Sequence, residues 1–455
     1  EFLSIPFVLC IASTFLLYYA HTSRRWQHAI LLAASVVFIG YYHLSYLAVA
    51  LGITIFTFLM GKWLHAAIDT PRAGRLLGVG IVGLVVFWLA ARYWSPVFPL
   101  GISFYTFQAL GYLIDIYWEE EPEDDPLDFT LYMLLFVKFL SGPIERAYDL
   151  LPQLKVAQRF DYTLVSRGLK TVVWGCFLKL VIADRIGPAL DLVLDHVQQA
   201  SGMQLLLATL LYPIQLYADF AGYTLMALGL GRMLGFHLHP NFDRPFISQS
   251  TGELWRRWHM SLSFWVRDYV FTPLNASLRG HGQWGIYVSL LVTFVVIGVW
   301  HGAGWTFALY GLFQGLVIIY ETAAKHFRQR VQNMVGQRFW SATMIVRTYL
   351  LFALSLLLFR LPHLADVGYT YTHFFTGFES SVKELRLGLS DQQWIVFALA
   401  VVIMFTVEAI NSHRHLQTWL SQQHIAFRWA TYLVLLLMIF LYGAFGVENF
   451  IYIQF

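Results

Sequence analysis

The chain has 455 residues, of which 58% are apolar and 17% aromatic, while only 13% carry a charge, roughly half the share a soluble globular surface needs. Its 30 Lys and Arg stand against 27 Asp and Glu with no basic stripe, which gives no footprint for nucleic acid. A soluble enzyme and a disordered chain are both excluded, and the apolar runs lack the alternation of a barrel, so the fold class is an all-α polytopic membrane protein.

In chain order, apolar runs predict spans at 3–20, 28–45, 46–61, 76–92, 98–118, 129–141, 164–182, 203–218, 222–236, 286–300, 303–320, 343–361, 393–411 and 429–446. A crossing helix needs about 20 apolar residues, so the shorter runs are expected as re-entrant half-helices beside about eleven transmembrane helices. The run at 2–20 reads as a first span, since no small-residue cleavage site and soluble domain follow it. Basic residues sort to loops at Arg24 and Arg25, at Lys62, Arg72 and Arg75, at Lys325, Arg328, Arg330 and Arg338, and at Arg414 and Arg428. The positive-inside rule places these in the cytoplasm, and alternation places 362–392 and the C-terminal tail outside. The acidic run 119–125 reads as a wet cytoplasmic loop. Cys10 and Cys176 lie in apolar runs, and no histidine pair has zinc-ligand spacing, so neither a disulfide framework nor a metal site is expected. No phosphate-loop, dinucleotide or nucleophile-elbow signature appears.

Polar residues concentrate at 219–268, in Asp219-Phe-Ala-Gly-Tyr223, Asn241-Phe-Asp-Arg-Pro245 and the stretch from Glu253 to Asp268. On a helix, Trp255, Trp258, His259 and Leu262 share one face, and Arg256 and Arg257 diverge from it. Two readings stand. One is an interfacial helix with arginines at headgroups and tryptophans as a belt. The other is the wall of a cavity that holds a phosphate-bearing anion through Arg256, Arg257 and Arg267.

His301 is the only readily ionised side chain in the run 285–320. As one helix that run would be ~54 Å long against a ~30 Å hydrocarbon core, so a break is expected, with Gly302 and Gly304 as the hinge. A histidine there is either structural, bonded to a carbonyl, or a general base.

Seven motifs in order then resemble the membrane-bound O-acyltransferase family. They are Pro-Leu-Gly-Ile-Ser-Phe-Tyr-Thr-Phe-Gln at 99–108, Ser-Gly-Pro-Ile-Glu-Arg at 141–146, Asp-Phe-Ala-Gly-Tyr at 219–223, Asn-Phe-Asp-Arg-Pro-Phe at 241–246, Arg-Trp-His-Met-Ser-Leu-Ser at 257–263, Trp-Val-Arg-Asp at 265–268 and Trp-His-Gly at 300–302. The resemblance is to the bacterial branch that O-acetylates alginate and other polysaccharides, and next to the branch that passes D-alanyl groups to teichoic acid.

The resemblance implies a ring of tilted helices with funnels from both faces: N-terminal transmembrane helices over 1–97, a catalytic core over 98–320 and C-terminal helices with an extracellular aromatic tail over 321–455. It implies His301 as the catalytic histidine and His259 as its polar companion, with Trp258, Trp300 and Trp305 shaping the site. Arg256, Arg257, Lys179 and Asp219 would serve the substrates. No resident cofactor is expected. The donor would be cytoplasmic acetyl-CoA, and the final acceptor an extracellular or periplasmic polysaccharide, reached with an SGNH-type acetyltransferase partner. The setting would be the bacterial cytoplasmic (inner) membrane, among membrane lipid. The ending Phe450-Ile-Tyr-Ile-Gln-Phe455 offers Tyr452 as an acyl carrier, or else an aromatic belt. D-alanyl transfer, lipid or protein acylation and secondary transport are the alternatives.

Overall fold

The computed structural model describes residues 4–93, 101–139, 142–302, 304–376, 384–413 and 416–446, and among these there are helices and no strand. The chain forms two compact units, Glu1–Val172 with Tyr223–Pro240, and Val173–Gly222 with Asn241–Phe455.

The first unit holds α1 (Ile5–Ala20), α2 (Arg24–Tyr42), α3 (Leu44–Ala66), α4 (Ala73–Tyr93), α5 (Ile102–Tyr117), α6 (Pro126–Leu134), α7 (Phe136–Phe139), α8 (Ala147–Leu154) and most of α9 (Tyr162–Phe177). Asp125 starts α6 by accepting the Leu127 N–H at 2.8 Å, with Pro126 at the first helical position, where its missing N–H costs nothing. α5 packs on α3 and α4 and is buried almost all round. The acidic run is not uniformly wet. Glu123 is buried, and its carboxylate accepts the Asp124 and Asp125 N–H groups, each at 3.0 Å, and pairs with Lys155 at 2.8 Å. Lys62 pairs with Asp124 and Arg24 with Asp128, so basic residues assigned to one face meet acidic residues assigned to the same face.

The second unit continues with α10 (Asp184–Leu194), α11 (Gly202–Met233), α12 (Thr251–Arg257), α13 (Met260–Val266), α14 (Thr272–Ser277), α15 (Gln283–His301), α16 (Trp305–Ala323), α17 (Lys325–Val335), α18 (Gln337–Arg360), α19 (Leu364–His373), α20 (Asp391–His413), α21 (Leu416–Ser421) and α22 (Ile425–Tyr442). The last turns of α11 belong to the first unit. Between α9 and α10 the helix widens to a π segment, Leu178–Ala183, and a second lies at Arg267–Phe271. Such insertions are frequent at functional sites.

Eight helices among the described residues are long and apolar enough to cross a membrane: Leu44–Ala66, Ala73–Arg92, Gly202–Met233, Gln283–His301, Trp305–Ala323, Gln337–Arg360, Asp391–Asn411 and Ile425–Tyr442. Among the described residues, then, eight full-length spans stand in this multi-pass membrane protein, beside the expectation of about eleven. The reasons are local. The run at 129–141 is split between α6 and α7, and the run at 98–118 yields a helix of only 16 residues. The runs at 203–218 and 222–236 are one helix of 32 residues, ~48 Å long. Faces such as Val79, Val82 and Val86, or Ile395, Leu399 and Val402, remain exposed at helical spacing, as lipid-facing surfaces do.

Candidate functional site

The site in the second unit starts from a helical hairpin. α15 and α16 cross closely because Gly298 and Gly311 lie at the crossing: a Cβ on Gly298 would meet the Phe307 carbonyl oxygen at 2.2 Å, and one on Gly311 the Phe294 carbonyl oxygen at 2.2 Å. Small residues allow this approach between membrane helices. α15 ends at His301 and α16 begins at Trp305, so the break falls at the expected hinge. At Gly302 a Cβ would lie 2.0 Å from the Phe307 ring, which fills the turn.

His301 is 3% exposed at the end of α15. Its ring lies 4.5 Å from Trp300 and 5.1 Å from Phe359, centroid to centroid, with both contacts near edge-to-face. His259 is 1% exposed, 4.7 Å from Phe220 and 6.2 Å from Trp300. Trp300 thus stands beside both imidazoles. Burial, with His301 adding to it, pushes His259, which lies outside the eight spans, well below the usual histidine range.

The segment around His259 corrects the expected continuous helix. α12 ends at Arg257, His259 takes a left-handed backbone (φ 44°), and α13 begins at Met260. Non-glycine residues hold that conformation only where surroundings impose it. The cause here is Asn241. Its backbone carbonyl accepts the Met260 N–H at 2.9 Å and its side-chain oxygen accepts the Ser261 N–H at 3.2 Å, which satisfies the first amides of α13. Ser250 caps α12 by accepting the Glu253 N–H at 3.0 Å. Glu321 accepts the Thr251 and Gly252 N–H groups at 2.9 and 3.2 Å and is held by Arg347 at 2.8 Å. The Trp255 indole donates to Gln314, whose amide donates to Ser355. Sequence reasoning quoted the Asn241 motif without its clamping role, and it missed Phe220 and Phe359 as walls for the imidazoles.

The other predicted residues separate. Trp258 is buried against Phe242 and Phe352. Trp305, the first residue of α16, is 80% exposed. Arg257 is bound to Asp243 at 3.1 Å and Glu253 at 3.0 Å, and Arg267 pairs with its neighbour Asp268. Arg256 is exposed, with no ion-pair partner among the described residues. Lys179 and Asp219 are buried together, with Lys179 at 2.6 Å from both Asp219 and Asp184, so this lysine already faces two carboxylates. Tyr452 lies outside the described residues.

Two buried imidazoles at two helix breaks fit proton transfer in a water-poor site. Residues 122–361 match the membrane-bound O-acyltransferase family. A protein named as a probable alginate O-acetylase from Pseudomonas fluorescens is 33% identical over 435 residues, covering 91% of this chain and 84% of that one. A peptidoglycan O-acetyltransferase from Helicobacter pylori is 28% identical, over 65% of this chain and 64% of its own. A teichoic acid D-alanyltransferase from Streptococcus thermophilus is 34% identical, over 49% of this chain and 57% of its own.

Proposed function

The chain belongs to the membrane-bound O-acyltransferase family, and from that premise we propose that it passes an acetyl group from cytoplasmic acetyl-CoA across the bacterial inner membrane for O-acetylation of an extracytoplasmic polysaccharide. The juxtaposition of His301 and His259 around Trp300 carries this reading. Support for acetyl over D-alanyl comes from coverage: the alginate relative aligns with 91% of the chain and the D-alanyl relative with 49%.

In the proposed step an acceptor hydroxyl oxygen attacks the thioester carbonyl carbon. His301 takes the hydroxyl proton as the C–O bond forms, the C–S bond breaks, and the proton passes to the departing thiolate to give free coenzyme A. His259 orients the reacting groups, and proton transfer of this kind supplies about 10²–10⁴-fold in rate. Arg256, the exposed cation of the pair, is assigned to the donor's phosphates, because Arg257 and Lys179 are already engaged by carboxylates. Tyr452 is assigned as a carrier: it lies eight positions beyond Ala444, whose N–H donates to the Leu180 carbonyl at 3.0 Å. An SGNH-type partner then completes transfer to the polymer.

The test is incubation of purified protein with radiolabelled acetyl-CoA. Wild type should release coenzyme A and form an acetyl ester, and His301→Ala, still folded, should lose about 10²–10⁴-fold. Near-normal turnover by His301→Ala would remove the assignment. Mass spectrometry of the C-terminal peptide under turnover tests the carrier, which an unmodified Tyr452 would exclude.

A further inference from the structure

Thr306 stands one residue into α16, across the hinge from His301, and only residues 302–304 join the two helices. It is 2% exposed, although its neighbour Trp305 is turned outward. The buried face of α16 runs from Thr306 through Tyr310 to Gln314, one helical turn at each step. The Tyr310 ring lies 5.6 Å from Phe359, and Phe359 lies 5.1 Å from His301, centroid to centroid. The Phe307 ring packs against the backbone of Gly302, next to His301, and lies 5.5 Å from the same Phe359. The hydroxyl and the imidazole thus belong to one buried side of the hinge, gathered around one phenylalanine.

The Thr306 hydroxyl oxygen is buried with no hydrogen-bond partner among the described residues. Its place in the helix is the cause. Thr54, Thr57, Thr209 and Thr293 are also buried in helices, and each donates at 2.7 Å to the carbonyl four residues back. Four residues before Thr306 is Gly302, which lies outside α16 in extended backbone (φ −167°), so no helical carbonyl is in line for this hydroxyl. The helix also begins without a side-chain cap, since its N-cap residue is Gly304. The Gly304 carbonyl accepts the Phe307 N–H at 3.1 Å and the Ala308 N–H at 3.5 Å, and the Trp305 and Thr306 N–H groups have no acceptor among the described residues. The hydroxyl lies at this same end: a Cβ on Gly304 would be 3.3 Å from Thr306 Oγ1. A buried hydroxyl beside the positive end of a 19-residue helix is a place for negative charge.

We propose that the Thr306 hydroxyl, with the first amides of α16, holds the negative charge that develops on the thioester carbonyl oxygen during transfer at His301; this rests on the acyltransferase reading above. As the acceptor oxygen bonds to the carbonyl carbon, the π pair of the C=O bond moves onto the carbonyl oxygen. Thr306 donates a hydrogen bond to that oxygen and keeps its own proton. When the C–S bond breaks, the pair returns to the C=O bond, and the proton taken by His301 goes to the thiolate. A donor already fixed in a water-poor site needs no reorientation when the charge appears, so it acts on the transition state more than on donor binding.

The experiment follows coenzyme A release from acetyl-CoA by the whole protein in detergent. Thr306→Val keeps the shape of the side chain and removes the hydroxyl, and Thr306→Ser keeps the hydroxyl. Thr306→Val should lower kcat about 10²–10³-fold while moving the KM for acetyl-CoA less than about threefold. It should melt no lower than wild type, since it removes an unpaired buried polar group. Thr306→Ser should recover kcat to within about tenfold of wild type. A near-normal kcat in Thr306→Val, a loss that appears in KM instead, or a Ser variant as slow as the Val variant overturns the proposal. So does a Val variant that melts well below both wild type and Thr306→Ser, because the hydroxyl would then serve the fold. If wild type turns over in a His301-dependent way and Thr306→Val keeps its rate, the oxyanion proposal fails and the acyltransferase reading stands; if there is no His301-dependent turnover at all, the reading itself fails.

Discussion

Asn241 shows how one residue can fix the backbone of another far along the chain. Its two oxygens take the first two amides of α13, and the chain between it and His259 is thereby fixed in a left-handed turn that puts the imidazole against Phe220 and Trp300. Asn241→Ala strips the side-chain acceptor from a buried amide and should cost about 1–2 kcal/mol, as loss of a helix cap does. Acyl transfer should fall with it because His259 loses its register. Paired melting and turnover measurements check this; an Ala variant with wild-type turnover would show that the break serves only packing. The asparagine was visible in the sequence, its role was not. The spacing of Trp255, Trp258, His259 and Leu262 fits one unbroken helix, and the oxygen that interrupts it comes from 18 positions upstream. Lys179 is a similar case: it reads as a spare cation until Asp219, forty positions away, is found beside it.

At the scale of elements, the break between α15 and α16 was legible, because a run of 36 residues without a charge is too long for the bilayer and two glycines mark where it yields. The closeness of the hairpin was not, since Gly298 and Gly311 could equally have faced lipid. Gly298→Ala places a methyl group 2.2 Å from the Phe307 carbonyl oxygen and should cost about 1–3 kcal/mol by overpacking, with reduced acyl transfer. Gly52→Ala, on α3 with open space around it, should be close to neutral in both measurements. Another element-level contact, within the first unit, joins the segment after α11 to the one before α8. Glu145 accepts the His239 N–H at 2.7 Å and meets its Nδ1 at 2.8 Å, and this partner raises the histidine above its usual range. A raised folded-state value means the contribution is full below the unfolded value of 6.5 and is lost as pH rises through the folded one. The ring is half-exposed, so on the order of 0.5 kcal/mol is expected after screening. Melting curves of wild type and His239→Gln should therefore differ most at pH 6 and converge in alkali; a constant difference would mean the charge contributes nothing.

For the molecule as a whole, basic residues cluster along the chain between two acidic ones. Between Glu321 and Asp366 the sequence has no acidic residue but carries Lys325, Arg328, Arg330, Arg338, Arg347 and Arg360. The first four lie on or beside α17, which puts that helix at the cytoplasmic face by the positive-inside rule. α18 then carries the chain across, so that Phe359 and Arg360 come at its far end, and Phe359 touches His301. The proposed function requires a cytoplasmic thioester to be presented from the side of α17, with only the acyl group passing. Reconstitution into sealed vesicles measures that transfer directly. Radiolabelled acetyl-CoA is confined to the side that α17 faces. Label should appear as an ester on the far side while coenzyme A stays on the near side, and His301→Ala should abolish it. Release of acetate on the near side alone, or intact acetyl-CoA crossing with its label, would contradict the account.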